Sequence, residues 1–262
     1  MTSINLPDFT SVTEFPGDPA SHEQIARVYS RYGWAAGHCA SRDVLEVACG
    51  SGVGLGLLAT SARRLLAGDF SPRMVAAVRA HYGERVLVAR FGAEQLPVTA
   101  ASLDVVVMFE ALYYLPRPER FVEEVRRVLR PGGLLLLSTA NKDLFDFNPS
   151  PFSQRYFGVI ELQQLLEAGD FRCRFFGDSP LAAITPRQRL LRPVKRFAAR
   201  AGLIPKTMAG KALLKRLVFG KLGAMPAELG PEGLASRPEP EPLDSTVPCR
   251  SHKIIFCAAQ LA

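Results

Sequence analysis

Residues 44–54 read Val-Leu-Glu-Val-Ala-Cys-Gly-Ser-Gly-Val-Gly, and this run decides the fold. Asp43–Ala48 (DVLEVA) is short, apolar and bounded by closely spaced glycines, the pattern of a buried strand, and Leu55–Ser61 behind it reads as a helix. A strand that enters a helix through glycines presents bare backbone N–H groups at the helix N-terminus, where a ligand can approach closely. Spacing bears on which ligand. The dinucleotide fingerprint is G-x-G-x-x-G. After Gly50 and Gly52 the third position holds Leu55, and counting from Gly52 it holds Leu57. A nicotinamide-dependent oxidoreductase is thereby disfavoured but stays open as an alternative.

Outward from the turn, apolar runs alternate with amphipathic ones. Arg64–Asp69, Arg85–Arg90, Leu103–Phe109 and Leu134–Thr139 read as strands. Ser71–Tyr82, with Pro72 in its first turn, and Pro118–Leu129, ended by Arg130-Pro131-Gly132-Gly133, read as helices. Leu103–Phe109 is nearly all apolar, as a strand covered on both faces must be. Further on come a helix (Val159–Ala168), a sixth strand (Phe171–Phe176), a Pro/Glu-rich linker (Pro231–Pro248) and a last strand (Lys253–Ala259). The expectation is an α/β fold: a doubly wound, Rossmann-like, seven-stranded and mostly parallel sheet, with an antiparallel last strand and a helical insertion. Residues 1–40 are expected to be an arm and cap helix, 41–177 the core, and 178–248 a basic helical insertion with the linker. Residues 249–262 bring the last strand back beside the sixth.

The chain has 262 residues, enough for one α/β domain with an elaboration. Its net charge of +7 is uneven: eleven Lys or Arg and no acid fall between Leu181 and Met225, so the rest of the chain is net negative. The five cysteines lack any CxxC pair, which argues against a zinc site or disulfide framework and for a reducing compartment. No basic-then-apolar leader opens the sequence and no run is long enough to span a bilayer, so the expected location is cytoplasmic. In the basic segment Leu190, Leu191, Val194, Phe197, Ala198 and Ala201 share one helical face, and Leu213, Leu214, Leu217 and Val218 another. That pattern suits a cap helix, or peripheral contact with the inner membrane face through residues 187–222. It carries no recognised nucleic-acid module, and nucleic acid is not an expected partner.

Five segments in order resemble the class I S-adenosylmethionine-dependent methyltransferases. LEVACGSG is similar to that family's first motif, with Ala48 where a glycine is frequent. Gly68–Met74 (GDFSPRM) resembles the end of its second strand, Ala93–Pro97 (AEQLP) its adenine loop, Leu103–Leu115 its fourth strand and loop, and Arg127–Leu136 the turn before its fifth. Together they cover roughly residues 41–140. The resemblance implies S-adenosyl-L-methionine as cofactor, touched by Glu46, Ala48, Gly50, Gly52, Asp69, Phe70, Met74, Ala93, Glu94 and Phe109. Glu46 would lie near the methionine amino end, Asp69 would hold the ribose, and Phe70 and Met74 would pack on the adenine. Gly92 departs from the family's Asp before Ala-Glu; loss of one such hydrogen bond costs about 0.5–1.5 kcal/mol.

Methyl transfer from a sulfonium is an in-line displacement that depends chiefly on alignment, and a base is needed only for a hydroxyl acceptor. Candidate catalytic residues are Glu110 and Tyr114 after the fourth strand, with Tyr113 beside them, and His38 from the N-terminal helix. Tyr29, Tyr32 and Trp34 of that helix either cover the cofactor or pack it to the core. The polar and aromatic stretch Asn141–Phe157 is long for an ordinary connection. Its Asp146, Asn148, Ser153 and Tyr156 suit hydrogen bonding to a polyhydroxylated acceptor. The expected activity is therefore methylation, at oxygen, of a small or saccharide acceptor, nucleotide- or lipid-linked in one variant. A non-catalytic scaffold of the same fold, binding a membrane or partner, is the third reading. No metal site is expected.

Overall fold

The computed structural model describes residues 9–181, 222–234 and 239–262. The strands are β1 (Pro19–Ser21), β2 (Asp43–Val47), β3 (Arg64–Asp69), β4 (Leu87–Arg90), β5 (Leu103–Phe109), β6 (Leu129–Ala140), β7 (Phe171–Pro180), β8 (Leu222–Ala224), β9 (Glu241–Leu243) and β10 (His252–Leu261). The helices are α1 (His22–Cys39), α2 (Leu55–Ser61), α3 (Pro72–Tyr82), α4 (Pro118–Val128) and α5 (Val159–Glu167). The main sheet has the order β4-β3-β2-β5-β6-β10-β7-β9. Pairings among β2 to β6 are parallel, while β10 runs antiparallel to both β6 and β7.

Alternation along the strands builds two cores. Val105 and Val107 of β5 face one way with Val44, Leu134 and Phe256, against Val28 of α1, Leu55 and Leu58 of α2 and Val75 of α3. Val106 and Met108 face the other way with Leu45, Leu135 and Ile255, against Phe121 and Val125 of α4 and Leu162 of α5. Helices on both faces make the sheet doubly wound. The chain winds outward from β2 through β3 to β4, then crosses back to β5. The carboxyl ends of β2 and β5 therefore flank the switch point where α/β sheets bind ligands.

Two features depart from the sequence expectation. The sheet has eight strands rather than seven, because Glu241–Leu243, inside the Pro-rich linker, pairs with Phe175–Gly177 on the outer edge of β7. A three-residue strand containing Pro242 is tolerated there, since an edge strand needs its backbone donors on one side alone. The N-terminal arm, expected without a strand, also carries one: Pro19–Ser21 forms a small antiparallel sheet with Leu222–Ala224. Apart from Leu222, the segment 187–222 considered for membrane contact lies outside the described residues. Among the described residues no helix is long and apolar enough to cross a membrane.

Helix α1 packs on one face of the sheet beside α2, and its Arg27, Arg31 and Tyr32 reach one large cavity. It starts on a capping box in which the Gln24 N–H donates to Ser21 Oγ at 3.2 Å and the Ser21 N–H donates to Gln24 Oε1 at 3.1 Å. Trp34 anchors it by stacking on Phe256 of β10, ring centroids 4.9 Å apart.

Candidate active site

The carboxyl ends of β2 and β5 both carry strained backbone. Ala48 has φ +58° and Glu110 φ +51°, left-handed conformations that non-glycine residues adopt at some cost. After Ala48 the chain turns through Gly50 (φ +56°) and Gly52 (φ +80°) into α2. Tyr82 of α3 holds this turn, donating to the Gly52 carbonyl at 2.7 Å and accepting from the Gly56 N–H at 3.1 Å. Asp69, at the end of β3, ties the turn to the next strand: its Oδ2 accepts from the Gly50 N–H at 3.0 Å and its Oδ1 from the Ser71 N–H at 2.8 Å. Burial raises its pKa against those amide bonds.

The segment from Phe9 to Phe15 crosses in front of the turn. Ser51 Oγ donates to the Glu14 carbonyl at 2.6 Å, and the Glu14 carboxylate pairs with Arg31 of α1 at 2.6 Å. Behind the turn Glu46 is 1% exposed. Its Oε1 accepts from the Tyr32 hydroxyl at 2.6 Å, and its Oε2 has no hydrogen-bond partner among the described residues. Burial pushes its pKa up to about 7, although Tyr32 and Arg31 pull it down.

Between these elements opens a cavity of about 1140 Å³, somewhat larger than the roughly 300–1,000 Å³ of ordinary ligand pockets. Of the residues expected to meet the cofactor, Ala48, Gly50, Asp69, Phe70, Met74, Ala93, Glu94 and Phe109 line it. Glu46 and Gly52 stand behind the wall. The loop at 92–98 is braced from outside: Glu124 of α4 accepts from the Leu96 N–H at 2.7 Å, while Arg127 donates to the Leu96 and Val98 carbonyls. Glu94 is engaged by Arg117, at 2.6 Å. A Cβ at Gly92 would meet Phe70 no closer than 3.9 Å, so the departure at this position leaves space open.

At the other end Glu110, Tyr113 and Tyr114 line the cavity. Ser138 Oγ donates to Glu110 Oε1 at 3.0 Å and the Tyr113 hydroxyl donates to its Oε2 at 3.2 Å. Burial raises the Glu110 pKa against Arg31, Ser138, Arg27 and Tyr113, which each lower it. Burial likewise raises the phenol of Tyr114, whose hydroxyl lies 2.7 Å from Ser150 Oγ.

The other candidates lie elsewhere. His38 packs its ring against Trp34, centroids 5.3 Å apart, outside the cavity wall, and burial with Arg174 and Arg42 lowers its pKa. Asp146, Asn148, Ser153 and Tyr156 are also absent from that wall. Ser153 Oγ donates to the Ser150 carbonyl at 2.7 Å, and the Tyr156 hydroxyl accepts from the Ser150 N–H at 3.0 Å. Tyr156 also stacks on Tyr113 at 4.3 Å, so it buttresses a wall residue. The cavity meanwhile draws in Glu14, Arg27, Arg31, Gln154 and Asp178, none of which the sequence singled out. The available signal was weak: Arg27 and Arg31 recur one helical turn apart, flanking the face that carries Val28 and Tyr32.

Comparison with known proteins agrees with this architecture. A family profile for the methyltransferase domain matches residues 45–137. A probable S-adenosylmethionine-dependent methyltransferase of Mycolicibacterium smegmatis is 43% identical over 148 residues, 55% of this chain and 56% of the relative. A ubiquinone biosynthesis O-methyltransferase of Pseudomonas paraeruginosa is 31% identical over 153 residues, 55% of this chain and 62% of that protein. The chain thus spans a little over half the length of the curated relatives it matches. Among solved structures, the YcgJ protein from Bacillus subtilis superposes with a TM-score of 0.56 at 17% identity, covering 88% of this chain and 97% of that one. The [4+2]-cyclase SpnF superposes with a TM-score of 0.57 at 17% identity, covering 95% and 85%. Strand order, the glycine turn at the switch point and the matched domain converge. Over residues 45–137 the chain carries a methyltransferase domain, and along that core it is similar to S-adenosylmethionine-dependent methyltransferases.

Proposed function

We propose that the chain catalyses S-adenosylmethionine-dependent O-methylation of a small acceptor, with Glu110 as general base. The reading rests above all on Glu110. It is a carboxylate at the carboxyl end of a central strand, held in a left-handed conformation, half-buried and facing the cavity between the glycine turn and the aromatic end. Strain of this kind, about 1–3 kcal/mol, persists where the surroundings over-determine it and clusters at functional sites.

The residues present suit the cofactor's parts. Asp69 keeps lone pairs for ribose hydroxyls beyond the two amide bonds it accepts. The unpartnered Glu46 Oε2 is an acceptor suited to an ammonium group. Phe70 and Met74 offer an apolar face for a purine. When bound, S-adenosylmethionine supplies a methyl group activated on sulfonium sulfur. Glu110 would take the acceptor's hydroxyl proton as the O–CH₃ bond forms and the S–CH₃ bond breaks. Its raised pKa makes the ionised carboxylate a stronger base than an ordinary glutamate. Tyr114, whose phenol is raised by burial, remains protonated near neutrality and acts by positioning. The likeness to an O-methyltransferase at 31% identity supports transfer to oxygen. The [4+2]-cyclase with the same fold makes a direct assay of transfer necessary.

Glu110→Gln is the test. Transfer of labelled methyl to the acceptor should fall by roughly 10²–10⁴-fold, with cofactor affinity unchanged. Wild-type kcat should climb as pH rises through the raised Glu110 pKa, because the base works ionised. Wild-type turnover in the glutamine variant would remove Glu110 as base.

A further inference from the structure

Of the charged groups that line the cavity around Glu110, one guanidinium has no direct partner among the described residues. The carboxylates there are hydrogen-bonded: Glu14 pairs with Arg31, and Glu110 accepts from Ser138 and Tyr113. Asp178 accepts from Ser30 Oγ at 2.6 Å and Ser179 Oγ at 2.8 Å. Arg31, matched by Glu14, still has a buried Nε without a hydrogen-bond partner. Arg27, one turn earlier on α1, lines the same cavity half-buried. Among the described residues no ion pair or hydrogen bond engages its guanidinium. Its charge nevertheless reaches Glu110, whose carboxyl it helps to hold down. A guanidinium partly withdrawn from water and facing a cavity is best satisfied by an oxyanion, to which it presents a planar fork.

Aromatic side chains line the same cavity. Phe109 meets Tyr32 edge-on with centroids 5.2 Å apart, Tyr113 meets Tyr114 at 4.6 Å, and Phe9 closes over Tyr114 at 5.1 Å. Aromatic walls favour a planar ring between them. We propose that the acceptor is a hydroxylated aromatic acid, its carboxylate on Arg27, its ring between these aromatic walls and its hydroxyl toward Glu110. The assignment deepens the methyl-transfer reading of the same cavity and rests on it.

The test is calorimetric, on the full chain loaded with S-adenosylhomocysteine. The probes are 3-hydroxybenzoate and its neutral counterpart 3-hydroxybenzyl alcohol. Wild type should bind the acid at least about tenfold more tightly, since a hydrogen bond to a charged group contributes a factor of that order or more. In Arg27→Gln the preference should fall to near unity, with S-adenosylhomocysteine affinity and melting temperature unchanged, and Arg27→Lys should restore part of it. Equal affinity of the probes in wild type, no binding of either, or a preference that survives in Arg27→Gln would each overturn the assignment. Failure of the cofactor reading shows separately, as absent S-adenosylhomocysteine binding. A preference for the acid in the unloaded protein would still support the Arg27 subsite in that case.

Discussion

Glu46 shows how burial makes one residue responsive. Lodged behind the glycine turn, it has one oxygen satisfied by Tyr32 and the other unpartnered, and its pKa stands near 7. A carboxyl raised on folding favours the native state most below its unfolded pKa of about 4.3. That contribution is lost as pH rises through 7. A cofactor ammonium placed at Oε2 would reverse the preference by favouring the ionised form. Binding should then release a proton, and S-adenosylmethionine affinity should increase between about pH 5 and 7, by up to tenfold per unit. Calorimetry across that range checks it, with Glu46→Gln as the variant that flattens the slope. A wild-type affinity independent of pH would place the ammonium elsewhere.

Among the elements, the turn from β2 into α2 is the one most tightly constrained. Gly52 has φ +80°, and a Cβ there would stand 2.8 Å from Val78 Cγ2 and 3.0 Å from Leu55 Cδ1. Gly52→Ala should therefore cost about 1–3 kcal/mol from the backbone alone. For a chain of this size that lowers the melting temperature by on the order of 5 °C. Gly92→Ala is the matched control, since its Cβ enters open space, and should stay within about 0.5 kcal/mol of wild type. Equal melting temperatures would show the turn to be more yielding than its contacts imply. At this scale the sequence was highly legible. Strand, glycines and helix are adjacent in the chain, so period and composition carry the information. The loop at 141–157 was not legible in the same way. Its residue types suited an acceptor, but side-chain direction depends on what the loop folds against, and Ser150 takes up Ser153 and Tyr156.

At the scale of the molecule, β10 joins the sheet's two halves. It pairs along nearly its whole length with β6 on one side and β7 on the other, and its alternate residues enter both cores. Ile255 is fully buried, so Ile255→Ala should destabilise by about 2–5 kcal/mol. Far-ultraviolet and near-ultraviolet signals, the latter reporting Trp34 against Phe256, should still melt together. Two separated transitions would show that β7 and β10 unfold as a unit of their own. The sequence by itself determined the core: the alternation of strands and helices, the glycine turn, Asp69 at the next strand's end and the antiparallel return. These follow from periodicity and backbone chemistry within short stretches. Only the tertiary structure decided the eighth strand, the pairing of β1 with β8, and which charges share the cavity. Backbone pairing at an edge leaves little side-chain signature. Glu14 and Arg27 near the N-terminus, Glu110 after β5 and Asp178 in β7 come from separate parts of the chain and line one cavity only once α1 has packed on the sheet.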